Sequence, residues 1–374
     1  MITDHRIHFS DAGQMRALDS ESVHLVVTSP PYPMIEMWDN LFRQESAIDK
    51  AMRRPHGAQA FELMHCQLDR VWNELWRVLV PGGIACINIG DATRTLDDEF
   101  ALYSNHSRIL THMLSLGFIN LPNILWRKQT NAPNKFMGSG MMPPGAYVTL
   151  EHEYILIFRK GGKRIFKTAE EKTNRRQSAF FWEERNNWFS DVWMDLKGTR
   201  QKTGDKQLRA RSGAYPFELA YRLISMFSVI NDTVLDPFLG TGTTLTAAMV
   251  TGRNSVGYEI DKAFQPLIAE GGLAAAPLGQ QRINERLEAH RQFVEDRQAS
   301  GKAIKYTNQT YGFPVITRQE TELMFLRPVT VKEMKKKHFQ MAYAMPQVSS
   351  TDPPPSALTE TGHTPKTGQM SLFG

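Results

Sequence analysis

The chain has 374 residues, 41% of them hydrophobic and 22% charged, with a net charge of +5 at neutral pH. No apolar run reaches the roughly 18 residues of a membrane-crossing helix, and the opening MITDHRIHF is too polar for a secretory signal. The two cysteines, Cys66 and Cys86, lie outside any Cys-x-x-Cys pair, which argues against a metal site or disulfide framework and for a reducing cytoplasm; both read as small buried residues.

In chain order, the apolar run at 24–28 predicts a buried strand that stops at Ser29-Pro30-Pro31-Tyr32. Prolines lack the ladder donor and hold the preceding residue extended, so a stiff loop presents Ser29 and Tyr32 at the strand's rim. A helix is expected over 62–79, a strand over 83–90, a helix over 107–117, and strands over 124–128 and 154–160. Residues 38–60 and 129–147 read as long loops. A helix over 215–228, a strand over 233–238, a helix over 242–252 and a strand over 254–260 follow. Val/Ile-rich strands alternating with helices predict an α/β fold with a mainly parallel sheet. Past Pro277 a charged helix (280–299) leads into a predicted hairpin within 304–325, and the Ser/Thr/Pro-rich end reads as disordered.

Charge is unevenly spread. Residues 159–211 hold fifteen Lys/Arg against seven Asp/Glu, together with seven Phe/Trp, and the remainder of the chain is net acidic. Basic side chains interleaved with aromatics suit a surface that meets phosphates and stacks on bases. A solvated basic face over a small aromatic core has the same composition.

The stretch TVLDPFLGTGTTL ends a strand at Asp236 and opens a helix near Gly242 through a glycine turn. Glu259 ends the next strand nineteen residues after Gly240, the interval at which Rossmann-like units place an acid on ribose hydroxyls. A P-loop needs a Lys that is absent here, and Leu245 stands where a dinucleotide fingerprint has its third glycine. An adenosyl ligand without pyrophosphate fits better; a mere tight turn is the plainer reading.

Ser29-Pro30-Pro31-Tyr32 and Asp236 through Thr244 together resemble the catalytic and cofactor loops of the amino-group DNA methyltransferases that use S-adenosylmethionine. RVLVPGGIACINIGD (77–91), EHEYILIFRKG (151–161) and AYPFELAYRLI (214–224) are further phrases similar to that family. The resemblance spans roughly 20–265 and implies a Rossmann-like methyltransferase fold with the circularly permuted motif order of the β class. It assigns Ser29, Pro30, Pro31 and Tyr32 to catalysis, with Ser29 and a backbone carbonyl accepting from the target amine and Tyr32 stacking on a flipped base. Asp236, Pro237, Phe238, Gly240, Gly242, Thr243, Thr244 and Glu259 would bind the cofactor; Asp236 either meets the methionine amine or braces the turn. Asp91 either points into the cleft or caps the next helix, and Tyr215 with Pro216 either borders the cofactor or starts a helix. His56 and His152 lack a partner pattern. Neither cysteine has the preceding Pro of cytosine-carbon-5 enzymes.

The Thr-Ser-Pro-Pro-Tyr form is typical of cytosine-N4 members, with adenine-N6 as the alternative and an RNA or protein N-methyltransferase, or an inactive DNA-binding scaffold, as distant rivals. The expected layout is 1–158 catalytic half, 159–211 inserted target-recognition region, 212–276 cofactor half, 277–344 helix-plus-hairpin extension, and 345–374 tail. Double-stranded DNA is the expected partner, contacted by Arg175, Arg176, Arg200, Lys202, Arg209 and Arg211. The extension is a candidate dimer face, DNA clamp or lid. Gln369, Met370, Ser371, Leu372 and Phe373 resemble the bacterial sliding-clamp peptide, a docking motif on a tether.

Overall fold

The apolar runs fold into strands covered on both faces, which is why they read as continuous hydrophobic stretches rather than alternating ones. In β2 (Val23–Thr28), Leu25 and Val27 enter one core and Val26 the other. The computed structural model describes residues 1–53, 57–96, 99–128, 137–198, 214–335 and 337–346.

The other strands of the main sheet are β1 (Ile2–His8), β3 (Leu79–Ile89), β6 (Phe118–Arg127), β9 (His152–Lys160), β10 (Val192–Trp193), β11 (Thr233–Asp236), β12 (Asn254–Tyr258), β15 (Arg327–Lys335) and β16 (His338–Ala344). Their order is β10-β6-β9-β3-β2-β11-β12-β1-β16-β15, and only β9 and β16 oppose the rest. Two-stranded pairs are β4 (Ala92–Leu96) with β5 (Glu99–Tyr103), β7 (Met137–Gly138) with β8 (Ala146–Tyr147), and β13 (Tyr306–Thr307) with β14 (Pro314–Val315).

The helices are α1 (Asp39–Phe42), α2 (Ser46–Met52), α3 (Gly57–Val78), α4 (Asn105–Ser115), α5 (Ala169–Gln177), α6 (Trp182–Trp188), α7 (Phe217–Phe227), α8 (Thr243–Val250), α9 (Gln265–Leu273) and α10 (Ala275–Ala299). α3 and α4 close one core; α7, α8, α9 and the start of α10 close the other. This is the three-layer Rossmann-like architecture expected from the alternation of strands and helices. Among the described residues no helix is long and apolar enough to cross a membrane.

Several expectations need correction. β1 was not foreseen, because its inward residues Thr3, His5 and Ile7 hide their period-two pattern behind polar side chains. The 38–60 stretch is not one loop but carries α1 and α2. The main hairpin is β15–β16, later than the 304–325 stretch, which forms only the two-residue pairing β13–β14. Cys86 is buried, and burial pushes its thiol up, but Cys66 lies exposed on the polar side of α3. His56 and the terminal residues from 347 onward, including the pentapeptide at 369–373, lie outside the described residues.

Candidate active site

β2 and β11 are parallel neighbours, with Leu25 opposite Val234 and Val26 opposite Leu235. From β2 the chain crosses through α3 to β3 on one side; from β11 it crosses through α8 to β12 on the other. The strand order therefore reverses between them, and in open α/β sheets ligands bind outside the carboxyl ends of strands at such a point. Ser29-Pro30-Pro31-Tyr32 leaves the end of β2, and the Phe238–Gly242 turn leaves the end of β11. The two stretches therefore flank the place where that rule puts the crevice.

Asp236 joins its two walls. Thr28 Oγ1 donates to Asp236 Oδ1 at 2.6 Å and Thr244 Oγ1 donates to Oδ2 at 2.6 Å, while the Phe238 N–H adds a bond to Oδ1 at 3.0 Å. Tyr215 places its hydroxyl on Thr244 and 3.3 Å from Asp236 Oδ2. Burial raises the Asp236 carboxyl above its usual range although these donors pull it down. Four donors, two on each oxygen, fill its acceptor sites from within the protein, so the geometry is that of a brace. Pro216 is the N-cap of α7, and Tyr215, just before it, is buried between the two loops.

The turn needs its glycines. Gly240 has φ +53° and Gly242, the N-cap of α8, has φ +85°. Glu259 accepts from the Gly240 N–H at 2.8 Å through Oε2 and from the Asp261 N–H at 2.8 Å through Oε1, and burial raises its carboxyl. Pro237 is buried, Phe238 packs edge-on to Trp72, and Thr243 opens α8 with its hydroxyl near that of Thr241. Next to Glu259, at the ends of β1 and β12, His8, Ser10, Asp11, Gln14 and Tyr258 line an open groove. Sequence reasoning missed this groove because it missed β1; the Thr3/His5/Ile7 alternation was the available signal.

Residues 23–270 match the family model described as DNA methylase. This chain belongs to the DNA methylase family. It is 50% identical over 349 residues to the type II methyltransferase M.MthZI of Methanothermobacter thermautotrophicus, covering 92% of this chain and 96% of that protein. It is 52% identical over 286 residues to the type II methyltransferase M.MjaI of Methanocaldococcus jannaschii, covering 72% and 91%. Among solved structures, TTHA0409 of Thermus thermophilus, complexed with S-adenosyl-L-methionine, superposes with a TM-score of 0.55 at 35% identity, covering 71% of this chain and 93% of that one.

The Ser29–Tyr32 side of the methylase holds a polar network that sequence reasoning did not resolve. The Tyr32 hydroxyl donates to Glu153 Oε2 at 2.9 Å and accepts from Asn88 Nδ2 at 2.8 Å and Ser29 Oγ at 3.1 Å. Asn88 Nδ2 also reaches Glu153 Oε2 at 2.7 Å, and Lys128 pairs with Glu153 Oε1. Burial, then the Glu153 charge, pushes the Tyr32 phenol well above its ordinary range. Asn105 fixes the loop's far end, donating to Pro33 O at 3.1 Å and Gly90 O at 3.0 Å. Asp91 turns away to cap α4, accepting from the His106 N–H at 3.1 Å and from its ring. The only hint of Glu153 in the sequence was the phrase EHEYILIFRKG.

In the basic–aromatic segment three rings follow the second of its two readings, a small aromatic core. Phe181, Trp188 and Trp193 are buried, so these three rings are core rather than a stacking surface. Phe181 stacks on His290 of α10, and Arg286 of α10 forks onto Glu184 at 2.5 and 2.6 Å. Arg175 lies over Phe166, and Arg176 pairs with Glu322 at 2.7 Å. Arg200, Lys202, Arg209 and Arg211 lie outside the described residues.

Proposed function

We propose that this methylase transfers a methyl group from S-adenosylmethionine to the N4 amine of a cytosine extruded from duplex DNA. The observation that carries the reading is the joining of the Ser29–Tyr32 loop to the glycine turn at the reversal of strand order, through Thr28, Asp236 and Thr244. The cofactor fits the residues present. A side chain at Gly240 would meet only Phe238 O, at 3.9 Å, so a ligand has close access to that backbone. Glu259 beside it suits ribose hydroxyls, and the groove from His8 to Gln14 continues from there.

Bound there, the sulfonium supplies an already activated methyl, so the protein's task is positioning more than acid–base chemistry. The exocyclic amine is a poor nucleophile because its lone pair is delocalised into the ring. Ser29 Oγ and a neighbouring backbone carbonyl accept its N–H bonds and localise that pair, while the Tyr32 ring faces the extruded base. Pro30 and Pro31, both buried, hold the two groups in place. Cytosine is favoured over adenine by the Thr-Ser form of the loop. Arg175 and Arg176, with Arg200, Lys202, Arg209 and Arg211, are proposed to contact DNA.

The test is incubation with methyl-labelled cofactor and duplex DNA, followed by digestion to nucleosides. The expected product is N4-methylcytosine, lost in Ser29→Ala. N6-methyladenine would overturn the choice of base, and label in RNA or protein alone would overturn the substrate class.

A further inference from the structure

We propose that Glu153 sets the polarity of the Ser29 hydroxyl, acting through Tyr32 as a positioning residue for the methyl transfer described above. The inference rests on that functional reading and on the direction of each hydrogen bond in the network.

A serine hydroxyl both donates and accepts. Facing an amine that donates, it helps only if its own proton points elsewhere. Glu153 decides where it points. Its side chain is 11% exposed, Lys128 engages Oε1, and Oε2 receives Tyr32 at 2.9 Å. A carboxylate only accepts, so the single proton of the Tyr32 hydroxyl is committed to Glu153. The Tyr32 oxygen then has only lone pairs for its other neighbours, and Ser29, 3.1 Å away, must donate to it. Asn88 Nδ2 lies 3.5 Å from Ser29 Oγ on its acceptor side, and what Ser29 Oγ presents to the crevice is therefore acceptor alone. Burial keeps the Tyr32 phenol protonated, as the scheme requires.

Two neighbours fit this order. The Asn88 amide has its Nδ2 toward both Tyr32 and Glu153, and the reverse orientation would set an oxygen against the carboxylate. Its Oδ1 is left buried without a partner among the described residues, a cost the packing accepts to keep Nδ2 in place. At Gly90 an added Cβ would lie 3.0 Å from Tyr32 Cε2 and 3.3 Å from Glu153 Cγ, so the backbone is bare where the network passes.

The test compares wild type, Glu153→Gln, Tyr32→Phe and the double variant in single-turnover methyl transfer to duplex DNA, with cofactor affinity measured by calorimetry. A glutamine offers a donor beside its acceptor, so the direction of the chain is no longer fixed. Each single variant is expected to slow transfer about 10- to 100-fold, with cofactor affinity within about twofold of wild type. The double variant is expected to be no slower than the slower single one, since both changes break one chain. Wild-type rates in Glu153→Gln, or losses that multiply in the double variant, overturn the proposal. If Glu153→Gln fails to bind cofactor, Tyr32→Phe, which keeps the ring and its packing, decides alone: an undiminished rate overturns the proposal. Absence of transfer by the wild-type chain would instead overturn the functional reading.

Discussion

The Thr28 hydroxyl lies 2.6 Å from Asp236 Oδ1, although 208 positions separate the two residues along the chain. Thr28 is the last residue before the Ser29–Tyr32 loop and Asp236 the last residue of the strand before the glycine turn. One carboxylate thus sets the spacing of the crevice walls.

Asp236→Asn turns one acceptor oxygen into a donor facing hydroxyls that already donate. Stability is expected to fall by about 1–3 kcal/mol, with a larger loss of cofactor affinity than in Thr28→Val, which removes a single bond. Urea denaturation and calorimetric titration measure the two effects. Equal affinities in both variants would refute a bracing role.

Gly90→Ala places a methyl group against Tyr32 and Glu153. Ala is ordinary backbone chemistry for a strand end, so the damage should appear in transfer rate. A fall of about 10- to 100-fold is expected from sub-ångström misplacement of the reacting groups, with thermal stability nearly kept. Single-turnover rates beside a melting curve give the answer.

Acid should weaken the fold through two buried histidines. His5 meets Thr3 Oγ1 and Ser255 Oγ, each at 2.8 Å, and burial lowers it from 6.5 to about 3. His65 of α3, held by Asn105 of α4, is lowered by burial to about 4. Both stay neutral in the folded protein while the unfolded chain protonates them below 6.5, so the unfolded state binds more protons in that range. The contribution is whole above 6.5 and is lost as pH falls toward the folded values. At about pH 5 each histidine should cost about 2 kcal/mol relative to neutral pH. Urea midpoints at the two pH values test this, and His5→Gln should flatten the dependence.

The contact between α6 and α10 includes a buried ion pair, Glu184 with Arg286. Glu184→Ala strands the Arg286 guanidinium, which also donates to the Tyr221 hydroxyl at 2.9 Å and lies 4.2 Å from the Phe325 ring. A loss of about 3–5 kcal/mol is expected, and a Glu184→Leu/Arg286→Met pair should recover most of it. Denaturant titration of the three proteins distinguishes a buried pair from a surface one, which would cost little.

The two loops were legible because proline and glycine write backbone geometry directly into the letters: Pro30 and Pro31 for a rigid exit, Gly240 and Gly242 for positive φ. The central strands were legible because burial on both faces leaves runs such as LVV and ACINI. β1 was not, since its inward face is Thr3 and His5, satisfied by each other and by Ser255 rather than by apolar contact. The network of Asn88, Lys128 and Glu153 was invisible for a different reason: it depends on the antiparallel strand β9 lying between β3 and β6, and pairing is not encoded in any one segment. The aromatic cluster stayed open between surface and core because composition does not say which side of a helix meets a neighbour; Phe181 and Trp188 meet α10 and α7.

At the far side of the sheet, Ile2 lies opposite Ala342 and the Tyr343 N–H bonds to Met1 O at 3.0 Å. The polypeptide path from β1 to β16 is therefore nearly a closed ring, and the succession of the two loops depends only on where the ring is cut. Splicing β16 onto β1 and reopening at Gly161–Gly162, where an added Cβ would touch nothing within 4 Å, would yield a protein with the glycine turn first and the proline loop second. Every contact across the crevice would survive the rearrangement.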